Sequence, residues 1–211
     1  LISSALQELF SNDLKSIFVI DKSQNLKNTF YTYKIADLSL PIIIKENGNS
    51  FYINWEEGQK TGFYIDQRDN RKLLQQYVDG KTVLNMFCYT GAFSVYAAKG
   101  GADKVISVDS SAEAIQLVNK NLELNQIDAK YNEPIREEAI TYLNNMPKDY
   151  FDLIILDPPA FAKSIDARHN AIKGYKRINS IAIEKVKHNG IIFTFSCSQA
   201  VSPSQFEGAI M

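Results

Sequence analysis

Cysteine and histidine are scarce in this sequence, and their scarcity excludes several classes of protein. Its 211 residues include two cysteines, Cys88 and Cys197, and two histidines. Two cysteines cannot form the disulfide framework of a small secreted domain. No His and Cys residues stand at zinc-ligand spacing, so no metal site is predicted. We therefore expect a protein of the reducing cytoplasm.

Long apolar runs and an excess of one charge are also missing. No stretch approaches the roughly 20 apolar residues of a membrane-spanning helix, and the N-terminus lacks the pattern of a signal peptide. The formal net charge of −1 argues against a protein that coats polyanions generally. A local basic site is still compatible with this charge, since residues 161–177 contain three lysines and two arginines against one acid. Because the sequence starts with Leu1 and stops within a predicted helix, we expect a piece of a longer protein.

The pattern of predicted helices and strands changes along the sequence, which predicts two domains. Residues 1–56 combine a short helix with runs typical of strands, and Asn47-Gly48 predicts the tight turn of a β-hairpin. From about residue 70, short apolar runs alternate with amphipathic helices, which indicates a parallel sheet covered on both faces. We predict an α/β protein, with a small β-rich subdomain at 1–56 and a Rossmann-like, doubly wound, mostly parallel sheet at 57–211.

The loop after the first strand of this sheet, FCYTGAFS at 87–94, contains a single glycine, Gly91. A dinucleotide site needs Gly-x-Gly-x-x-Gly, so that the backbone can approach a pyrophosphate. One point of close approach suits a nucleoside ligand without phosphates. S-adenosylmethionine is the common ligand of this kind and is the predicted cofactor.

Acidic residues follow the next two strands. Asp109 comes 18 residues after Gly91, where a carboxylate can accept hydrogen bonds from both ribose hydroxyls. The alternative is that Asp109 caps the helix beginning at Ser111, although its combination with the Gly91 turn favours the ligand role. Glu138 is a candidate contact to adenine, against the alternative that acids are favoured in any first helical turn.

The segment FDLIILDPPAFAK delivers Asp157 to the carboxyl end of a buried strand, followed by two prolines. Prolines fix the backbone and remove N–H donors, so residues 157–159 form a rigid lip of carbonyl acceptors that suits the edge of a nucleobase. The alternative is a stiff turn whose carboxylate bonds nearby amides. Methylation of an exocyclic amine uses Asp-Pro-Pro followed directly by an aromatic residue, whereas Ala160 intervenes here.

Cys197 ends the last apolar run, and it is the candidate nucleophile for a different methylation. C5 of a pyrimidine must be activated by a thiol that adds to C6. A cysteine inside the run would be core packing, but Cys197 lies at its tip between Ser196 and Ser198. Its strand follows the Asp157 strand through one helix, so we expect the two strands to be neighbours. Cys88 also lies at a strand tip, inside the predicted cofactor loop.

Five segments, in order, resemble the RlmI-like family of class I S-adenosylmethionine-dependent methyltransferases, which form 5-methylcytosine in large-subunit ribosomal RNA. They are residues 58–71, 83–111, 151–163, 174–179 and 190–199. The resemblance implies that Asp157 contacts the target base, that Cys197 is the attacking thiol and that residues 59–71 close over the methionine end of the cofactor. The implied cofactor contacts are Phe63, Asp66, Gln67, Tyr89, Thr90, Gly91, Asp109, Ser110, Glu138, Asp157 and Pro158.

The resemblance also implies ribosomal RNA as the substrate, with no membrane partner. Candidate phosphate contacts are Lys60, Arg68, Lys163, Lys176 and Arg177. The chain departs from the family in having Glu138 where Asp is usual, and in lacking the N-terminal PUA RNA-binding domain and the last strands of the sheet. A homodimer is compatible with the sequence, which does not determine the oligomeric state.

Three alternatives stay open. A methyltransferase acting on a base nitrogen would share the scaffold and leave Cys197 structural. A nicotinamide dehydrogenase would share the sheet and the ribose acid, but it needs the missing glycines. A non-catalytic RNA-binding module would keep the basic residues without needing the lip, the thiol and Asp109 together.

Overall fold

The computed structural model describes residues 2–10, 16–21, 28–34, 42–53, 62–162 and 164–211. The chain divides into two compact units, one formed by Leu1–Ile44 and Tyr52–Tyr64 and the other by Lys45–Phe51 and Ile65–Met211. The predicted boundary between residues 56 and 57 lies outside the described residues.

The first unit contains helix α1 (Ile2–Phe10) and an antiparallel pair, β1 (Ser16–Asp21) and β2 (Asn28–Lys34), which runs from Ser16 opposite Lys34 to Asp21 opposite Asn28. Strands β3 (Ile42–Glu46) and β4 (Asn49–Ile53) form a two-stranded sheet. The two turn residues between β3 and β4, Asn47 and Gly48, have φ angles of 48° and 83°. The predicted hairpin is therefore confirmed, because Asn and Gly tolerate this left-handed region.

The second unit is built on five parallel strands in the order β7-β6-β5-β8-β9. The strands are β5 (Thr82–Met86), β6 (Lys104–Asp109), β7 (Asn132–Arg136), β8 (Leu153–Leu156) and β9 (Ile191–Thr194). The helices are α2 (Arg68–Leu74), α3 (Ala92–Lys99), α4 (Ala112–Leu124), α5 (Ala139–Asn145), α6 (Arg168–Lys185) and α7 (Pro203–Ile210). The chain builds outward from β5 to β7 and then returns to add β8 and β9 on the other side, which confirms the doubly wound prediction.

Both faces of the central part of the sheet are buried, which explains why β8, with the sequence LIIL, is continuously apolar. Leu84 and Ile154 lie in the core on one face, together with side chains of α5, α6 and α7. Val83 and Leu153 lie in the core on the other face, against Leu74 of α2. Parallel strands covered on both sides do not need the apolar–polar alternation of a half-exposed sheet.

Within the second unit, a buried ion pair connects the hairpin turn to helix α2. Arg71 donates from Nε and Nη2 to the two carboxylate oxygens of Glu46, at 2.8 and 2.7 Å. Tyr96 donates its hydroxyl to the same carboxylate at 3.0 Å. Burial of charges is costly unless they are paired, so removal of either partner leaves an uncompensated charge in the core.

Over the described ranges, no helix combines the length and the apolarity that a bilayer crossing requires.

Candidate active site

Four predicted site residues follow strands that are neighbours in the sheet. Gly91 follows the central strand β5, Asp109 ends β6 on one side, and Asp157 follows β8 on the other. Cys197 follows β9, which pairs with β8. Because all of these strands are parallel, their carboxyl ends lie at one edge, where the strand order reverses and ligands of such sheets bind.

The predicted cofactor loop has an unusual backbone. Phe87, Tyr89 and Gly91 have φ angles of 57°, 48° and 75°. The Tyr89 N–H donates to Oδ2 of Asp109 at 3.0 Å, and the Gly91 N–H donates to the Cys88 carbonyl at 2.8 Å. Left-handed conformations at residues other than glycine cost energy and cluster at functional sites. The loop is thus held in a strained form by the β6 carboxylate.

A side chain at Gly91 would press against helix α4. A Cβ atom at Gly91 would lie 3.0 and 3.1 Å from the two methyl carbons of Val118 on α4. Next to it, Thr90 is 2% exposed, and its carbonyl accepts a hydrogen bond from Asn121 at 2.8 Å. The loop therefore approaches α4 closely at Gly91 and Thr90.

Asp109 organises the loop without serving as the helix cap. Its Oδ1 accepts from the Ser111 N–H at 3.0 Å, while the Ser111 hydroxyl accepts from the Ala114 N–H and caps α4. Each carboxylate oxygen has acceptor capacity for a further hydrogen bond. The residues present therefore fit a ribose, since the half-buried Asp109 can still accept two hydroxyl hydrogens. Ser110, beside it, is exposed.

Glu138 is the N-cap of α5, the role that was expected as the alternative. Its Oε2 accepts from the Thr141 N–H at 2.8 Å and from the Thr141 hydroxyl at 3.2 Å. The backbone bond from Thr141 lowers the pKa of this exposed carboxyl. The adenine contact remains a prediction alongside this capping role.

The lip and the segment predicted to cover the cofactor meet in the structure. Gln67 donates from Nε2 to Oδ1 of the half-buried Asp157 at 3.3 Å, and its own Oε1 accepts from Asn70 at 2.7 Å. Pro158 is buried and Asp66 is exposed. Phe63 is buried and belongs to the first unit, and residues 54–61 lie outside the described residues.

Cys197 lies beside the lip. Its Sγ is 3.6 Å from the Pro158 carbonyl oxygen, and the residue is exposed. The approach follows from strand pairing, in which Leu156 is opposite Thr194 and the Phe195 N–H donates to the Leu156 carbonyl at 2.9 Å. The thiol is thus at the surface, next to a rigid carbonyl, and not within packed hydrocarbon.

Cys88 has the opposite environment. It is 6% exposed. Burial raises the pKa of its thiol well above the ordinary value, and the nearby Asp109 carboxylate raises it further. A thiol in this environment is a poor nucleophile, because the thiolate is the reactive form.

The predicted phosphate contacts are exposed where the structure describes them. Arg68 forms an ion pair with Asp69 at 3.0 Å, and Lys176 and Arg177 lie on exposed positions of α6. Lys60 and Lys163 lie outside the described residues. Within the described part of the chain, no three His, Cys, Asp or Glu side chains group as metal ligands would.

Sequence reasoning missed a buried hydroxyl pair behind Cys197. The Tyr175 hydroxyl on α6 lies 2.8 Å from the Ser198 hydroxyl, and the Ala162 N–H donates to the same Ser198 oxygen at 3.3 Å. The available signal was the position of Tyr175 in GYKRIN, one of the segments that carry the family resemblance, between the buried positions Ala171 and Ile178 of one helical face.

Comparison with known proteins identifies the family model that the chain matches. Residues 38–207 match the model described as S-adenosylmethionine-dependent methyltransferase. The chain is 39% identical over 213 residues to ribosomal RNA large subunit methyltransferase I of Aeromonas hydrophila, covering 98% of the chain and 54% of that protein. It is 42% identical over 175 residues to the protein of the same name from Shewanella denitrificans, covering 82% and 44%.

Solved structures of similar fold agree with this match. A putative S-adenosylmethionine-dependent methyltransferase from Streptococcus mutans superposes with a TM-score of 0.84 and 29% identity, covering 99% of this chain and 54% of that chain. A putative methyltransferase crystallised in complex with SAH gives the same values. The chain thus spans about half the length of the relatives that it matches.

Proposed function

Because this chain belongs to the S-adenosylmethionine-dependent methyltransferase family, we propose that it methylates large-subunit ribosomal RNA at C5 of a cytosine, in the cytoplasm. Family membership confirms S-adenosylmethionine as the cofactor. The choice of ribosomal RNA as the substrate is supported by the name of a relative that matches 98% of the chain. The carbon-5 chemistry rests on Cys197.

The observation that carries the proposal is the distance of 3.6 Å between Cys197 Sγ and the Pro158 carbonyl oxygen. It brings an exposed thiol beside a lip that presents a carbonyl and the Asp157 carboxylate. Both lip groups are hydrogen-bond acceptors, and the exocyclic amine of cytosine is a donor that uracil lacks. A cytosine edge held at this lip would leave its C6 atom within reach of the thiol.

The residues then divide the chemistry between them. The Cys197 thiolate bonds to C6, and the electrons of the 5,6 double bond make C5 nucleophilic. Asp157 stabilises the proton held at N3 while this adduct exists. When bound, S-adenosylmethionine supplies an electrophilic methyl group, which C5 accepts. Loss of the C5 proton to a base then lets the C6–sulfur bond break and restores the thiolate.

We propose that the cofactor is held by the loop after β5 and by Asp109, which accepts the ribose hydroxyls. The other proposed cofactor contacts are Phe63, Asp66, Gln67, Ser110, Glu138, Asp157 and Pro158. Gln67 is well placed for this role, because its bond to Asp157 links the covering segment to the lip. The proposed phosphate contacts are Lys60, Arg68, Lys163, Lys176 and Arg177.

The identity of the product nucleoside tests the proposal. The protein is incubated with an unmodified large-subunit ribosomal RNA transcript and isotopically labelled S-adenosylmethionine, and the RNA is digested for mass spectrometry. The expected labelled product is 5-methylcytidine. A nucleoside methylated on nitrogen would contradict the thiol mechanism and support the alternative in which Cys197 is structural, and 5-methyluridine would contradict the choice of base.

A further inference from the structure

Strand pairing brings the Cys197 segment to the lip, but its last backbone hydrogen bond to β8 is made two residues before the thiol. Strand β9 ends at Thr194, and residues 195–198 continue outside regular secondary structure. The last backbone bond to β8 in this region is made by Phe195. The location of Cys197 relative to the lip therefore depends on contacts that its neighbours make.

Ser198 makes the contact that joins the two loops. It is 4% exposed, whereas the preceding Cys197 is exposed, so the two side chains point to opposite sides. The Ser198 hydroxyl accepts from the N–H of Ala162, three residues beyond the lip, at 3.3 Å. The same oxygen is bonded to the Tyr175 hydroxyl at 2.8 Å. One buried oxygen thus connects the loop after β8, the loop after β9 and helix α6.

Tyr175 is itself held rigidly. It is 0% exposed, and its ring contacts Phe161 and Phe206 with centroid distances of 4.7 and 5.0 Å. Gly174 lets α6 approach this loop, because a Cβ atom there would lie 3.0 and 3.2 Å from ring carbons of Phe161. The Tyr175 hydroxyl is therefore fixed in space by three elements, independently of the Cys197 segment.

We propose that the Tyr175–Ser198 hydroxyl pair positions the Cys197 thiol against the lip, as a pair of positioning residues for the proposed reaction. Neither hydroxyl touches substrate. Their effect is on the distance between Sγ and the pyrimidine that the lip holds. Reactions that depend on near-attack geometry lose rate steeply with small displacements, about 100-fold for 1 Å. This inference rests on the proposed function.

Removal of each hydroxyl tests the pair. Tyr175→Phe keeps the ring packing, and Ser198→Ala keeps the volume to within one atom. We expect each variant to lower kcat for RNA methylation by about 10- to 100-fold. The dissociation constant for S-adenosylmethionine and the KM for RNA should change less than about threefold. The double variant should be no slower than the slower single variant, because residues that act as one unit are not additive.

Two control variants separate positioning from general weakening. Val78→Ala loosens the core on the opposite face of the sheet from Tyr175 and leaves both hydroxyls and their ring contacts in place, so it should lower the melting temperature with kcat unchanged. Tyr131→Phe removes the hydroxyl of an exposed tyrosine and should change neither quantity. Equal kcat losses in Val78→Ala and Tyr175→Phe at matched melting temperatures would overturn the positioning role.

The failure of this inference can be told apart from the failure of the proposed function. If Cys197→Ala is inactive while Tyr175→Phe and Ser198→Ala keep full kcat, the function stands and the positioning role is wrong. If Cys197→Ala stays active, the proposed function is wrong. A readout independent of RNA is the rate of Cys197 alkylation by iodoacetamide, which should change in both hydroxyl variants and stay unchanged in Tyr131→Phe. An unchanged alkylation rate in both hydroxyl variants would contradict the positioning role.

Discussion

The two cysteines of this protein lie at comparable places in the sheet and differ in almost every other respect. Cys88 follows β5 and Cys197 follows β9, both at carboxyl ends of parallel strands. Cys88 is 6% exposed, with its pKa raised by burial, whereas Cys197 is exposed with its sulfur 3.6 Å from the Pro158 carbonyl. Position at a strand end therefore does not decide whether a thiol can meet a substrate.

The segment that follows each cysteine determines whether its thiol is exposed. After β5, helix α3 begins at Ala92, and the Tyr89 N–H in the short intervening loop donates to the Asp109 carboxylate of β6, next to the buried Cys88. After β9, the chain continues outside regular structure before α7 begins at Pro203, which leaves Cys197 at the surface. We propose that the loop after β5 holds the cofactor and that the segment after β9 presents the reactive side chain.

The largest expected difference between the two cysteines is in the rate of methyl transfer after each is replaced by alanine. Cys197→Ala should lower methyl transfer to RNA by at least about a thousandfold, because no other thiol is placed to attack C6. Its affinity for S-adenosylmethionine, measured by calorimetry, should stay within a few fold. Cys88→Ala should remain active on the same RNA. Full turnover by Cys197→Ala would break the distinction between the two thiols.

Alkylation should show the same contrast without any substrate. In native protein at pH 8, iodoacetamide should modify Cys197 at least about 100-fold faster than Cys88, since Cys88 must first be exposed by local opening. Peptide mass spectrometry over time measures both rates in one sample. In denaturant the two rates should converge, and comparable rates in the native protein would contradict the structure at Cys88.

Asp109→Ala should weaken the binding of the cofactor more than it slows methyl transfer. Loss of two charge-assisted hydrogen bonds to ribose should weaken S-adenosylmethionine binding by about 10- to 100-fold. Asp128→Ala is a matched control, because Asp128 also accepts a backbone N–H, from Lys130 at 2.9 Å, at an exposed position. An unchanged affinity for S-adenosylmethionine in Asp109→Ala would contradict the proposed role of Asp109 in binding the cofactor.

Gly91→Ala should measure the packing cost within the cofactor loop. Gly91 and Gly80 have similar positive φ angles, 75° and 65°, but a Cβ atom meets Val118 only at Gly91. Both substitutions carry a backbone cost of about 1 kcal/mol, and Gly91→Ala should lose about 1 to 3 kcal/mol more in unfolding free energy. Equal losses in urea unfolding would show that α4 yields without cost.

The smallest expected difference between the two cysteines is in the pH dependence of the unfolding free energy. Because the folded-state pKa of Cys88 is raised, its contribution to stability is present below the unfolded pKa of about 8.5 and is lost as pH rises. Between pH 8.5 and 9.5 the slope should reach up to about 1.4 kcal/mol per pH unit. Cys88→Ala should flatten this slope in urea unfolding, and Cys197→Ala should retain it. A slope unchanged in Cys88→Ala would contradict the burial of its thiol.

Much of the fold followed from local patterns in the sequence. The hairpin at Asn47-Gly48 and the parallel sheet were predicted from short segments of sequence alone, and both predictions are confirmed. The resemblance to the RlmI-like family and the cofactor are confirmed as well. The adjacency of β8 and β9 was predictable because one helix connects them.

The rest depended on contacts between residues far apart in the chain. The Arg71–Glu46 pair bridges 25 residues and the Tyr175–Ser198 pair bridges 23, and neither has a local signature. Local patterns can also be ambiguous, as at Glu138, because an acid that caps a helix and an acid that binds a ligand have the same sequence pattern. The assigned roles of individual site residues therefore stay predictions.

The measurement that tests the central claim most directly is covalent trapping on RNA containing 5-fluorocytidine. Fluorine at C5 cannot leave as a proton, so the C6–sulfur bond persists after methyl transfer. We expect a cofactor-dependent protein–RNA adduct that mass spectrometry places on Cys197, present in Cys88→Ala and absent in Cys197→Ala. Methylated RNA without an adduct, or an adduct on another residue, would contradict it.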